Sequence, residues 1–446
     1  MTTTLPRARR RQAGFTLVEL TISLIVIVQV LIAVLMLFDF SNKLSHAQTN
    51  IADMQQSLRI AQNEMNALVR MAGRGGLSFF NTAPGGAIWV LDNVSTTARI
   101  GDATSPQVLA GTDVLTVRGV FATPVYWVNS LDSTTLQYKD ASGNVTVNPA
   151  LAYTGTLTVT PPSAIAGQTL QPLADAVAAR VHEALIIENA ANPDDPNVGH
   201  AVVELLPDTS VVNVATQALL NFRVRGAAGD LATSYTTLLP GGAFPAIKAV
   251  SGVGILEEWR FYIRQNVTAG DMAPKLTKAR FMPGTDIAYG PPGVAANAQN
   301  LWIDLADNIL DLQIALALDT VNHVPRTPPP GVTEPAGLTT IAADRVNGYI
   351  SEAATGLNDD WLYNNTNDNI ADPVWAGAEP YWVRVSLLAR TDRRDSQYEA
   401  PVLGAIEDHA YPANDPLNLA NTAVGSTQQR MYRRRILQTV IDLRNL

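Results

Sequence analysis

The chain has 446 residues, no cysteine, 47% apolar side chains and a formal net charge of −9. The lack of cysteine excludes disulfides and thiolate metal sites, and the acidic balance excludes a general nucleic-acid binder, whose affinity starts with phosphate neutralisation. Core burial must hold the fold together, and a chain of this length can supply it.

Arginines stand at positions 7, 9, 10 and 11, Gly14 follows, and Phe15 to Phe38 is an apolar run of 24 residues whose only charged side chain is Glu19. As a helix this run would span about 36 Å, enough to cross a hydrocarbon core of about 30 Å with some tilt. A secretory signal has a shorter apolar core and a small-residue junction on its far side; here the glycine is on the near side. The arginines place the leader in the cytoplasm, so the chain beyond Phe38 is exported. Without residues 1–14 the chain has 27 basic against 40 acidic side chains, a net −13. Glu19 is the anomaly, because an ionised carboxylate inside a membrane costs at least a few kcal/mol unless it finds a partner.

Basic leader, Gly14, then Phe15-Thr16-Leu17-Val18-Glu19 resembles the prepilin signal of type IV pilins and type II secretion pseudopilins. The resemblance implies that a prepilin peptidase cuts after Gly14 and that the new amino group of Phe15 is methylated. It also implies a role for Glu19 in subunit assembly, pairing with the amine of Phe15 on a neighbouring subunit or its own. Opposite charges at close range in a low dielectric offset much of each other's burial cost.

From Ser41 the apolar positions become Leu44, Ala47, Ile51, Met54, Leu58, Ala61, Met65, Leu68 and Ala72, spaced by three and four. That is one face of a helix continuing the apolar run to about Met71, with Gly73, Gly75 and Gly76 as the stop. Such a helix is about 85 Å long. Its stripe could pack on the chain's own sheet or form a coiled-coil seam with other subunits. The small residues Ala47, Ala61 and Ala72 favour the sheet.

Beyond Gly76 the chain reads as β structure. Period-two stretches at Asp113 to Arg118, Glu258 to Arg264, Leu310 to Leu318, Tyr381 to Arg390 and Arg434 to Leu443 predict half-buried antiparallel strands. In the second, Trp259, Phe261 and Ile263 face one way and Glu258, Arg260, Tyr262 and Arg264 the other. Asp140 to Asn144 predicts a hairpin turn. Strands and helices do not alternate, which argues against a doubly wound parallel fold.

With the prepilin signal, Arg70 to Arg74, Gly111 to Arg118, Trp259 to Arg264, Asn308 to Gln313, Val383 to Leu388 and the ending Arg435 to Asn445 resemble, in their order, the PilW family of minor pilins. The resemblance implies an α+β fold: a long N-terminal helix, transmembrane at 15–38 and amphipathic at 39–72, packed on a large antiparallel β head at 73–446. Residues 125–250 match no named segment and read as an expansion of the sheet or a second β lobe. Where major pilins commonly carry a proline, this chain has Met36. The implied function is that of a minor pilin of a type IV pilus, in a priming and tip complex that starts assembly and presents an adhesin. Its partners would be the prepilin peptidase, other minor pilins, the major pilin and a large tip adhesin. It would sit in the inner membrane with an exported head before assembly, and at the pilus tip afterwards. A J-type pseudopilin of type II secretion and a tip module that binds a surface directly are the alternatives.

The sequence carries no complete catalytic or cofactor motif. His182-Glu183 lacks the second histidine of a zincin helix, and Asp408-His409 could be half of a triad but no Gly-x-Ser-x-Gly elbow accompanies it. Neither an enzyme nor a cofactor is expected, and the histidines at 46, 182, 200, 323 and 409 read as surface or loop residues. Asp359, Asp360, Asn365, Asn367 and Asp368 form a dense oxygen-rich loop that could bind calcium, although the glycine and terminal glutamate of an EF-hand are missing. Local turn chemistry explains the same residues. Trp361 and Tyr363 in this loop could alternatively mark a contact surface.

Overall fold

The computed structural model describes residues 16–77, 85–94, 107–128, 154–160, 169–171, 173, 183–189, 200–205, 210–213, 217–223, 250–265, 273–284, 302–319, 361–364, 366, 368–371, 375, 378–423 and 427–443. The turn expected at 140–144 lies outside these residues. The chain divides into two compact units, Met1–Asp53 and Met54–Leu446. Helix α1, Leu17–Arg70, contributes its first part to one unit and its last part to the other.

In the first unit the apolar side chains of α1 are exposed on every side, from Leu17 to Phe40. This segment is long and apolar enough to cross a membrane, with none of its most apolar window buried. Its hydroxyls are satisfied internally, Thr21 donating to the Val18 carbonyl at 2.8 Å and Ser23 to that of Glu19 at 2.8 Å. This bonding suits a helix whose surroundings offer no other partner. After Glu19 the next charged residue is Asp39, which pairs with Lys43 at 2.7 Å.

In the second unit the stripe of α1 continues as Met54, Leu58, Ala61, Met65 and Leu68, all buried in the main core with the addition of Val69. From Met54 onward the stripe therefore packs on the chain's own sheets. The helix ends at Arg70, and Gly73, Gly75 and Gly76 all have positive φ, the left-handed conformation in which glycine ends helices without a Cβ penalty. The Gly73 amide donates to the Arg118 carbonyl at 2.9 Å, fixing the helix terminus to the sheet.

The strands are β1 (Ile88–Leu91), β2 (Gln107–Val108), β3 (Val114–Gly119), β4 (Tyr126–Val128), β5 (Thr154–Thr160), β6 (Glu183–Asn189), β7 (His200–Leu205), β8 (Ser210–Asn213), β9 (Gln217–Arg223), β10 (Val250–Gln265), β11 (Lys275–Phe281), β12 (Trp302–Asp307), β13 (Ile309–Asp319), β14 (Trp361–Leu362), β15 (Glu379–Arg390), β16 (Ala405–Ile406), β17 (His409–Ala410) and β18 (Arg434–Asp442). Every pairing among them is antiparallel. One sheet of 12 strands centres on β10, a second has the order β14-β13-β15-β18, and β16 and β17 form a separate hairpin.

β10 has two roles along its 16 residues. Its later half pairs with β3 and β11, next to α1. Its earlier half pairs with β4 on one side and β6 on the other. Because β4, β5, β9, β7 and β6 pair in succession, these strands and β10 close a ring of six. Among the described residues closure gives every strand of the ring a partner on both sides, although β4–β5 and β7–β9 meet over only two residue pairs each.

The half-buried expectation holds for β18 and fails for β3, β10 and β13. β3 is buried at all six positions. On β13, Leu312, Ile314, Leu316 and Leu318 join the main core, but Asp311, Gln313, Ala315 and Ala317 on the opposite face are buried too. The reason is tertiary cover: the β16–β17 hairpin lies over one part of that face and Trp361 over another. On β10 the second face, Glu258, Tyr262 and Arg264, is likewise buried, with Tyr262 in a small core of Val94, Val108, Val114, Ala279 and Phe281.

Candidate functional site

The first turn of α1 is built from Thr16 and Glu19. The Glu19 amide donates to Thr16 Oγ1 at 3.3 Å, making Thr16 the N-cap and Glu19 the third helical residue. This is the Ser/Thr-x-x-Glu spacing of a capping box, and it places a carboxylate at the positive end of the helix dipole. Glu19 therefore has a local reason to be present beyond any intermolecular pairing. It is exposed, as are its apolar neighbours. Gly14 and Phe15 lie outside the described residues.

In the head the densest polar constellation surrounds His409, on β17. Its Nδ1 lies 3.1 Å from Asp311 Oδ2 and its ring stacks on Tyr411 with centroids 4.4 Å apart. Tyr411 donates to the same Asp311 oxygen. Gln313 donates to Asp311 Oδ1 at 2.9 Å and to the Gly111 carbonyl at 2.9 Å. A Cβ on Gly111 would lie 3.0 Å from His409 Cε1, and its φ of +77° suits glycine, so that residue leaves room for the imidazole. Burial pulls the His409 pKa down, but the bond to Asp311 and its charge outweigh this and raise it. Burial, then the charge of Asp311 and its hydrogen bond, push the Tyr411 phenol well up.

A second group of carboxylates adjoins it. Asn93, at φ 45°, donates from one amide nitrogen to Asp408 Oδ2 at 2.7 Å and to Asp92 Oδ1 at 3.0 Å. Burial, then the Asp92 charge and a hydrogen bond with it, push Asp408 up to about 8. Asp113 is fully buried and is raised well above its ordinary value, first by burial, with Asp92 and Asp408 adding to the shift. A third group lies on the later half of β10. There Glu258 accepts from Arg118 Nε at 2.6 Å, Arg260 Nε at 2.7 Å and the Gly284 amide at 2.8 Å.

This arrangement joins pieces of the head. Asp311 and Gln313 come from β13, His409 and Tyr411 from the hairpin region, and Gly111 and Asp113 from the segment leading into β3. The sequence reading of His409 as a surface or loop residue misses this, because its partners Asp311 and Gln313 stand 98 and 96 residues away along the chain. The usable signal is on β13: Asp311 and Gln313 interrupt an otherwise apolar alternating strand. His200 is buried, His409 half-buried and His46 exposed, while His182 and His323 lie outside the described residues.

Of the calcium candidates, Asp359, Asp360, Asn365 and Asn367 lie outside the described residues. Asp368 Oδ2 accepts from the Asn364 amide at 3.0 Å and Asn369 Oδ1 from that of Ala371 at 3.0 Å, both turn-forming bonds. Among the described residues no three His, Asp or Glu side chains are grouped to hold a metal ion. Trp361 and Tyr363 do not form a contact surface. They are 3% and 4% exposed, and Trp361 carries the Arg384 guanidinium over its ring at 4.0 Å.

No family model matches the sequence, and no curated protein does. Among solved structures, the chain is similar to a type IV-like pilin from Thermus thermophilus at 9% identity and a TM-score of 0.16, covering 62% of this chain and 93% of that one.

Proposed function

We propose that this chain is a PilW-like minor pilin, held in the inner membrane by α1 until it enters a type IV pilus, where it primes assembly and caps the tip. The observation carrying the proposal is the start of α1: an all-round apolar, exposed helix with one carboxylate, Glu19, in its first turn, directly behind a basic leader and Gly14. In an ordinary membrane anchor the gain from a carboxylate at the helix start, about 0.3–1 kcal/mol, does not offset its burial cost of at least a few kcal/mol. A fibre subunit can offset that cost, because the freed amine of Phe15 can meet the carboxylate when helices bundle.

Its partners are the prepilin peptidase, other minor pilins, the major pilin and a tip adhesin. The head works by contact and not by catalysis: His409 is committed to Asp311 and Tyr411, which hold the hairpin on β13. A head of this size would crowd every repeat of a shaft, so the subunit acts at low copy.

Mass spectrometry of the membrane form tests this. The mature N-terminus is expected at Phe15 and N-methylated, and an intact Met1 in piliated cells would refute the pilin reading. Counting copies in sheared pili tests the tip position, which a ratio near one to one with the major pilin would contradict.

A further inference from the structure

Among the described residues β18 is a sheet edge, open on one side. It pairs with β15 along all nine residues and, among the described residues, with nothing on its other side. An edge strand presents unpaired amides and carbonyls, and proteins usually blunt such edges with proline, bulges, short length or charged side chains, which on β18 stand only at its ends, at Arg434, Arg435 and Asp442. β18 has no proline and no register shift, and Ile436 and Val440 are 47% and 52% exposed on one face. It offers an apolar, main-chain template.

The start of the same strand is crowded with arginines. Arg434 lies directly opposite Arg390 on β15, a like-charge cross-strand pair that is unfavourable by itself. Arg433 and Arg430 precede it, and Arg394 reaches Tyr432 Oη from the neighbouring loop at 3.1 Å. Asp395 engages Arg433 and Glu399 engages Arg430. Even so, Nε and Nη1 of Arg434 and Nε of Arg390 and Arg433 are buried without a hydrogen-bond partner. Burial lowers the pKa of both Arg390 and Arg434, and a nearby arginine lowers each further. The exposed Arg393, Arg394 and Arg435 enlarge this basic patch on a chain that is acidic as a whole.

We propose that the β18 edge receives an extended segment of a partner protein, paired through its main chain along Ile436 to Val440, with its carboxylates on the arginines at the strand's start. Antiparallel pairing, the more stable arrangement, puts those carboxylates at the C-terminal end of the incoming segment. Guanidinium forks suit carboxylates, and alternating apolar side chains suit Ile436 and Val440. A nucleic acid would use the arginines but neither the amides nor the apolar face, and the acidic chain opposes it at long range. The inference needs only the head and stands whether or not the chain enters a fibre.

The test uses full-length protein in detergent micelles and a fluorescent peptide of about eight residues, the length of an ordinary strand, alternating valine and threonine and ending in aspartates. The peptide is expected to bind, its lysine-ended counterpart is not, and Arg394→Glu and Arg435→Glu should each weaken binding about tenfold or more. Both positions are exposed, so the fold is retained. Hydrogen exchange of the 436–440 amides should slow on binding. Equal binding of the lysine peptide, unchanged exchange along β18, or binding of short single-stranded DNA in place of the peptide would each overturn the proposal.

Discussion

Asp113 accepts the Ile314 amide on its Oδ2 at 2.7 Å while its own amide donates to the Leu312 carbonyl at 2.9 Å. A residue leading into one sheet thus supplies a rung beside a strand of the other. Its second oxygen accepts the Asn93 amide at 3.0 Å. Asp113→Ala would leave two amides without acceptors, at a cost of about 2–4 kcal/mol. Denaturant unfolding followed by tryptophan fluorescence measures it, and a loss under about 0.5 kcal/mol would mean that the contact contributes nothing beyond an ordinary surface site.

Glu258 lies between Arg118 and Arg260 with its side chain 0% exposed and that of Arg118 4%. Burial raises its pKa, but the two arginine charges outweigh burial and lower it below 4.5. A depressed carboxylate contributes stability that is present above its unfolded pKa and is lost as pH falls through the folded value. Glu258→Gln should therefore cost about 3–5 kcal/mol at neutral pH by leaving Arg118 buried without a counter-charge. Adding Arg118→Met should recover much of the loss. A double variant no more stable than Glu258→Gln would show that the ion pair is not the cause.

Asp408 gives the opposite sign. Its folded pKa of about 8 lies above the ordinary 3.8, so the native state holds a proton that the unfolded chain releases. Stability contributed this way is complete below about 4 and is lost as pH rises towards about 8. The raised His409 acts in the same sense, its contribution fading as pH rises through its folded pKa from the ordinary 6.5. Asp408→Asn should raise the melting temperature at pH 8 and leave it nearly unchanged at pH 4. Calorimetry at the two values decides, and an equal shift at both would exclude the titration.

If Glu19 meets the amine of a neighbouring Phe15 during assembly, Glu19→Ala should leave the protein in the membrane, since removing a charge eases insertion. Its recovery in sheared pili should fall several-fold. The variant also loses the carboxylate at the helix start, worth about 0.3–1 kcal/mol. Glu19→Gln, which keeps the shape without the charge, separates the two effects. Full recovery of Glu19→Gln would point to capping and not to charge pairing.

The sequence by itself determined the elements whose causes are local. An unbroken apolar run, a three-and-four stripe and a cluster of glycines dictate α1 and its end, because helix periodicity and left-handed φ are properties of neighbouring residues. Period-two stretches located β3, β10, β13, β15 and β18 for the same reason. Only the tertiary structure decided what covers each sheet face. Alternation on β13 marks two faces but cannot say that a hairpin more than 90 residues later buries the second, so Asp311 and Gln313 read as solvent-facing. The closing of β4 to β9 onto β10, the gathering of Asp92, Asp113 and Asp408, and the opposition of Arg390 to Arg434 likewise depend on contacts between distant residues. Burial alone makes those charges matter, since a carboxylate's pKa or a guanidinium's need for a partner is set by the desolvation that packing imposes.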